Sequence, residues 1–293
     1  MPAAITSDAT TLMKNWCSCV LMAFTLLSMI CSVGGVVAAA DLKSRLADVG
    51  VKQTKDAKFH DFSEIDFPLP GEGSECKIVE PKKAAAGNPW VWRARFWDHQ
   101  PAFDVAMLNH GYHLVYCDVV EFWGAPKAVA RWDKFYELTQ RVGLGPKPVL
   151  EGMSRGGTYA VNWAKVNPTK VAAIYGDNPL LDLRSFPRGN PDAEGGFKKM
   201  LEYHGITEAE LPTFTGSPID GLEDLAKAKV PVFFVLGAKD EIVPVTKHAD
   251  VFEARYKALG GSVKRWVKAD AGHHPHGLHP VDPLVEAVLE AVK

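Results

Sequence analysis

Residues Gly152-Met153-Ser154-Arg155-Gly156 follow the pattern G-x-S-x-G, a serine with glycines two positions to either side. Between a strand and a helix, that pattern makes a sharp turn. The turn puts the serine in a strained backbone conformation and pushes its hydroxyl outward, and side chains at the glycine positions would collide. The context fits. The apolar run Pro148-Val149-Leu150 precedes the motif, and helical spacing from Gly156 to Val166 follows it. Free amides at the start of that helix would face the serine, where an oxyanion can be stabilised. The plain alternative is an ordinary glycine-rich strand–helix turn.

A serine hydroxyl is a poor nucleophile until a base takes its proton, and the base needs an orienting acid. On this architecture the chain order is serine, acid, histidine. Pro231 to Leu236 reads as a buried strand, and the turn after it holds Asp240. Asp240 is the first candidate acid. Asp177, in Tyr175-Gly176-Asp177-Asn178-Pro179, is its rival. His273, His274, His276 and His279 fall within seven residues. His273 follows Ala271-Gly272 at a strand end and is the first candidate base; His274 is the second. Clustered imidazoles also suit zinc. However, HExxH is missing and Pro275 breaks helical ligand spacing, so neither a metal nor a cofactor is expected. Walker A and G-x-G-x-x-G phosphate loops are missing as well.

The elements that must position these residues alternate. Cys76 to Val79, Pro89 to Trp92, Tyr112 to Cys117, Pro148 to Leu150, Val171 to Tyr175, Val230 to Leu236 and Val263 to Val267 read as strands. Helical spacing covers Phe103–Leu108, Ala128–Val142, Gly156–Val166, Ala249–Leu259 and Pro283–Val292. Continuous apolar strands separated by helices imply a parallel sheet buried on both faces. The expected class is α/β, a doubly wound, mostly parallel sheet. Residues 41–75 read as an N-terminal arm, 76–293 as the catalytic domain, and 178–229 as a cap-like insertion over the strand ends.

The Glu151-to-Gly157 elbow, the Leu236-to-Asp240 acid turn and the Gly272-to-Leu278 histidine segment resemble the α/β-hydrolase superfamily. More narrowly, they are similar to exported bacterial hydrolases among polysaccharide-degrading enzymes, some of them carbohydrate esterases. The resemblance covers roughly residues 75–293. It implies an α/β-hydrolase fold and a serine hydrolase of carboxylic esters working through an acyl-enzyme, with Ser154, Asp240 and His273 as the triad. The usual HGG-type oxyanion segment is absent. The resemblance then implies the backbone amide of Arg155 as one oxyanion donor and an amide within Arg93 to Arg95, with Arg95 chosen, as the second. A serine exopeptidase on the same fold and a non-catalytic hydrolase-fold binding protein are the alternatives.

Arg93, Arg95 and Arg155 would then gather near the serine, with Phe96, Trp97 and Trp123 on adjacent loops. Guanidinium forks bind carboxylates, and aromatic faces suit sugar rings. Arg93, Trp97 and Trp123 are therefore candidate substrate contacts, for an ester carried on an acidic or neutral glycan. The competing reading buries the aromatics in the core and pairs the arginines with Asp98, Asp118 or Glu121.

Composition narrows the classes. The chain has 293 residues, 47% hydrophobic and 23% charged, with 33 Lys and Arg against 35 Asp and Glu. Such a chain collapses into a core rather than staying disordered. Its near-neutral balance excludes the electrostatic footprint of a nucleic-acid binder. Lys14 precedes an uncharged apolar run, Cys19 to Ala40, ending in Val37-Ala38-Ala39-Ala40. That reads as a secretory signal peptide over residues 1–40, cleaved after Ala40, with Met13 as an alternative start. The expected location is periplasmic or secreted, with no membrane contact after cleavage. A retained anchor is the alternative. Cleavage would leave Cys76 and Cys117, which an oxidising compartment could bridge.

Overall fold

Strand after strand, the apolar residues alternate between the two faces of one sheet. The computed structural model describes residues 41–189 and 191–293; the signal peptide read over 1–40 lies outside the described residues. The strands are β1 (Lys55–Phe59), β2 (Phe62–Pro68), β3 (Glu75–Glu80), β4 (Trp90–Arg93) and β5 (His113–Cys117). They continue with β6 (Val149–Met153), β7 (Ala173–Asp177), β8 (Val232–Gly237) and β9 (Val263–Lys268). Their order across the sheet is β1-β2-β3-β5-β4-β6-β7-β8-β9. The pairs from β1 to β5 along one edge are antiparallel, and every pair from β5 through β9 is parallel. This is the expected mostly parallel α/β class.

Period-2 side-chain alternation divides each central strand between two cores. Trp92, Leu150, Ile174 and Phe234 enter one core, while Val91, Val149, Tyr175 and Val235 enter the other. The first is covered by α1 (Leu42–Asp48), α3 (Pro126–Arg141), α4 (Gly156–Val166), α6 (Glu223–Lys227) and α7 (Ala249–Ala258). The second is covered by α2 (Ala102–Asn109) and α8 (Asp282–Ala291), which pack on each other. Trp92 stacks on Trp132 of α3 at 4.2 Å between ring centroids and meets Trp163 of α4 at 5.0 Å. These rings fix α4 against the sheet and so fix the direction in which its N-terminus points.

Residues 41–75, read from the sequence as an arm, contribute α1, β1 and β2 to this body. Asp41 caps α1 by accepting from the Ser44 amide at 2.9 Å, and Leu42 and Leu46 enter the core. Between β7 and β8 the chain carries α5 (Pro191–His204) and α6. Phe197 and Met200 of α5 pack with Trp123, Leu180 and Leu183 into a third apolar cluster. Cys76 and Cys117 lie directly opposite each other on β3 and β5 as buried free thiols. Among the described residues no helix is long and apolar enough to cross a membrane.

Two buried histidines tie this fold to pH. Burial pushes His113 on β5 and His248 down to about 4. The unfolded chain therefore binds these protons at higher pH than the folded one does. Stability is retained above about 6.5 and is lost as pH falls toward 4, at up to about 1.4 kcal/mol per pH unit for each histidine. The thermal midpoint should drop across that window, and it should drop less steeply in His113→Gln. Equal slopes in the two proteins would remove His113 from this account.

Candidate active site

Ser154 sits where β6 turns into α4, with a left-handed φ of 49°. Its backbone is held from outside the turn. The Ser154 amide donates to the Asp177 carbonyl at 2.8 Å, and the Ser154 carbonyl accepts from the Leu180 amide at 2.8 Å. The glycines answer to close approach. A Cβ on Gly152 would lie 2.7 Å from Gly157 Cα, and one on Gly157 would lie 2.4 Å from Pro179 Cβ.

From this elbow a hydrogen-bond relay runs across two further strand ends. The Ser154 hydroxyl and His273 Nε2 are 2.9 Å apart. His273 Nδ1 and Asp240 Oδ2 are 2.7 Å apart. The second Asp240 oxygen accepts the amides of Ile242 and Val243 at 2.9 and 2.8 Å. Burial pushes the Asp240 carboxyl up, but the hydrogen bonds from His273 and the Val243 amide outweigh it and hold the group below its ordinary value. Asp240 is thus an anion that fixes the imidazole with Nδ1–H toward itself and Nε2 toward the serine. Gly237 permits the approach: a Cβ there would lie 2.0 Å from the Gly272 carbonyl oxygen.

The other two candidates take different places. Asp177 pairs with His276, whose Nδ1 is 2.7 Å away, and accepts the Gly277 amide at 2.6 Å and the Tyr175 hydroxyl at 2.9 Å. It braces the histidine segment rather than His273. His274 is exposed; burial and the neighbouring His276 and His273 charges hold it below its ordinary value. Ligating atoms of His273, His274 and His276 lie within 4.8 Å of one another. Both nitrogens of His273 and one of His276 are already engaged, so a metal held by all three would break the contact of His273 with Ser154 or with Asp240.

Neither the Arg155 amide nor the Arg95 amide donates to a protein acceptor among the described residues. The segment bearing Arg95 packs on the elbow, with its amide nitrogen 3.7 Å from the position of a Cβ on Gly156.

Two candidate substrate contacts, Arg93 and Trp123, are corrected, because both are buried. Arg93 is 1% exposed. It pairs with Asp104 and with Glu151, the latter at 3.0 Å. It also donates to the carbonyls of Arg95, Phe96 and His99 at 3.2, 3.0 and 2.5 Å. With two carboxylates on one guanidinium, burial and the Asp104 charge push Glu151 well above its ordinary range. Arg93 therefore pins the loop after β4, in which Phe96, Asp98 and Gln100 all have left-handed φ. Trp97 packs on Phe59 and Tyr116 at 5.1 and 5.7 Å. Trp123 is buried, with the Arg155 guanidinium 4.0 Å from its ring and Phe186 at 5.2 Å. Trp123 serves packing, while Trp97 is half-buried.

Two residues escaped the sequence reading. Asn178 accepts the Gly237 amide at 2.7 Å and donates to the His273 carbonyl at 2.9 Å, joining the acid and base segments. His276 stood in the histidine cluster without an assigned partner. An asparagine directly after a candidate acid at a strand end was the available signal for the first.

No family model and no curated protein matches this chain. Solved structures do. The S-formylglutathione hydrolase of Agrobacterium tumefaciens superposes with TM-score 0.59 at 14% identity, over 82% of this chain and 99% of that one. The chain has the α/β-hydrolase fold. An acetyl xylan esterase from Paenibacillus sp. R4 gives 0.56 at 16% identity, over 86% and 92%. A puromycin-hydrolysing peptidase of Mycobacterium tuberculosis gives 0.57 at 16%, over 80% of this chain; the chain spans 38% of that protein's length. Within this α/β-hydrolase fold the serine, acid and histidine occupy the carboxyl ends of β6, β8 and β9, where open parallel sheets bind ligands.

Asn178→Ala tests the brace. It orphans the buried Gly237 amide and the His273 carbonyl, at about 1–3 kcal/mol each. Misplacing His273 should also lower kcat by roughly tenfold or more. Steady-state kinetics showing lost stability with unchanged kcat would make Asn178 purely structural.

Proposed function

We propose that this protein is a serine hydrolase that cleaves carboxylic esters through an acyl-enzyme. The continuous relay Ser154–His273–Asp240 carries this reading. Ser154 Oγ attacks the ester carbonyl while His273 Nε2 takes its proton. Asp240 stabilises the imidazolium that forms. The amides of Arg155 and Arg95, which have no protein acceptor among the described residues, receive the tetrahedral oxyanion. His273 then returns the proton to the departing alcohol, and a water activated by the same imidazole hydrolyses the acyl-enzyme. No step calls on a metal or cofactor.

The ester reading is supported by the esterases among the similar structures, with a serine peptidase as the alternative. The acetyl xylan esterase and the S-formylglutathione hydrolase match over 92 and 99% of their own length, and the peptidase over 38%. Polysaccharide-borne esters are the substrate class in view, supported by the acetyl xylan esterase likeness. Residues 178–229 act as the cap, a reading supported by the packing of Phe197 and Met200 with Trp123. Export, supported by the pattern of residues 1–40, would bring the enzyme to such substrates.

A fluorophosphonate probe should label the protein and fail to label Ser154→Ala. Asp240→Asn should lower kcat on 4-nitrophenyl acetate by roughly 10⁴-fold, by allowing the wrong imidazole tautomer. Labelling that persists in Ser154→Ala would refute the assignment. Faster cleavage of an aminoacyl 4-nitroanilide than of 4-nitrophenyl and xylan acetates would favour the peptidase alternative.

A further inference from the structure

We propose that the substrate carries a carboxylate and that the guanidinium groups of Arg95 and Arg155 bind it beside Ser154. The inference rests on the serine-hydrolase reading of the site and adds a substrate class to it. Arg155 directly follows the nucleophile. Arg95 lies on the segment packed against Gly156, where its Cβ is 3.4 Å from the position a glycine Cβ would take. Both side chains are partly buried. Their companions are aromatic: Arg155 lies 4.0 Å from the Trp123 ring centroid, and Arg95 lies 4.9 Å from that of Phe96. Arg95 Nε is buried with no hydrogen-bond partner.

Among the described residues no carboxylate forms an ion pair with either guanidinium, and those of the surrounding loops have other partners. Asp98 pairs with His60, and Asp118 accepts from Tyr116 and the Val120 amide. Glu121 pairs with Arg131, and Asp104 and Glu151 serve Arg93. The two cations also bear on each other. Burial, with the positive charge of Arg95 adding to it, holds Arg155 below its ordinary value. Partly desolvated like charges are unfavourable unless a counter-charge arrives. Arg93, Arg131 and Arg184 each pair with carboxylates, and the partly buried Arg45, which has no ion pair, donates to the Val142 carbonyl. The side chains of Arg95 and Arg155 have neither an ion pair nor a hydrogen-bond acceptor among the described residues, which marks them as a receptor for an anion. A guanidinium fork matches the planar geometry of a carboxylate and binds it by charge-assisted hydrogen bonds. Because Arg155 is adjacent to the nucleophile, the anion must lie close to the scissile carbonyl, on its acyl or its alcohol side.

Two matched ester pairs separate those sides. Monobenzyl glutarate and benzyl valerate differ by a carboxylate on the acyl part; 4-acetoxybenzoate and 4-acetoxybenzamide differ on the alcohol part. In one pair the charged member should show roughly tenfold or more higher kcat/KM, and should bind Ser154→Ala protein tighter by a similar factor. Both advantages should shrink in Arg95→Gln/Arg155→Gln and with added salt. Equal handling of both pairs, or a preference that survives the double substitution, overturns the proposal. Binding is read in Ser154→Ala protein and so does not depend on turnover. Fluorophosphonate labelling of the wild-type protein separately decides the hydrolase reading.

Discussion

The left-handed backbone at Ser154 is the constraint on which the rest of the site depends. A non-glycine residue at φ 49° is unfavourable,, so the turn persists only because its surroundings over-determine it. Two hydrogen bonds to the chain continuing from β7 clamp its amide and its carbonyl. Gly152 and Gly157 let α4 descend onto β6 and onto Pro179 without a clash. On the far side, Trp163 of α4 is locked against Trp92 of β4. The strain is thus balanced by packing that extends well into the core, and the outcome is a hydroxyl bonded to the imidazole of His273.

The same economy governs the buried charges. Asp240, Asp177 and Arg93 each sit at the carboxyl end of a parallel strand, and each is saturated by groups from a different loop. Asp240 gathers its own turn and His273. Asp177 gathers His276 and the Gly277 amide. Arg93 gathers three carbonyls of the loop after β4. A buried ion left without partners is expensive; one that binds several backbone groups becomes a device for fixing loop shape. Three loops without regular secondary structure are therefore held at one rim, and the acid, the base and the Arg95 amide arrive together.

Much of this was legible in the sequence where local chemistry and hydrophobic pattern agree. Gly156–Val166 stands as a helix at its expected limits, because a glycine turn sets its start and Trp163 and Ala164 carry its apolar face. Strand–turn spacing placed Ser154, Asp240 and His273 at strand ends, with Asp177 and His274 standing beside them as rivals. The N-terminal strands were missed: β1 is mostly exposed, so its charged residues hid a strand whose stability comes from pairing. Asp177 and Asp240 were indistinguishable for a different reason. Both end buried strands, and only the three-dimensional course of residues 273–277 decides which histidine each receives.

The arginines make the sharpest case. Arg93 and Arg95 are two residues apart on the same chain segment, and by composition they have equal claim to a ligand. Strand alternation would even point them to the same face of the sheet. The difference arises because β4 ends at Arg93, so its side chain is directed into the layer between the sheet and α2, where Asp104 waits. Two residues later the backbone has left the sheet and passes over the elbow, taking Arg95 out of reach of those acids. Ion pairing in this protein is therefore decided by where a strand stops, and an arginine's availability to a ligand is a property of loop path before it is one of residue type.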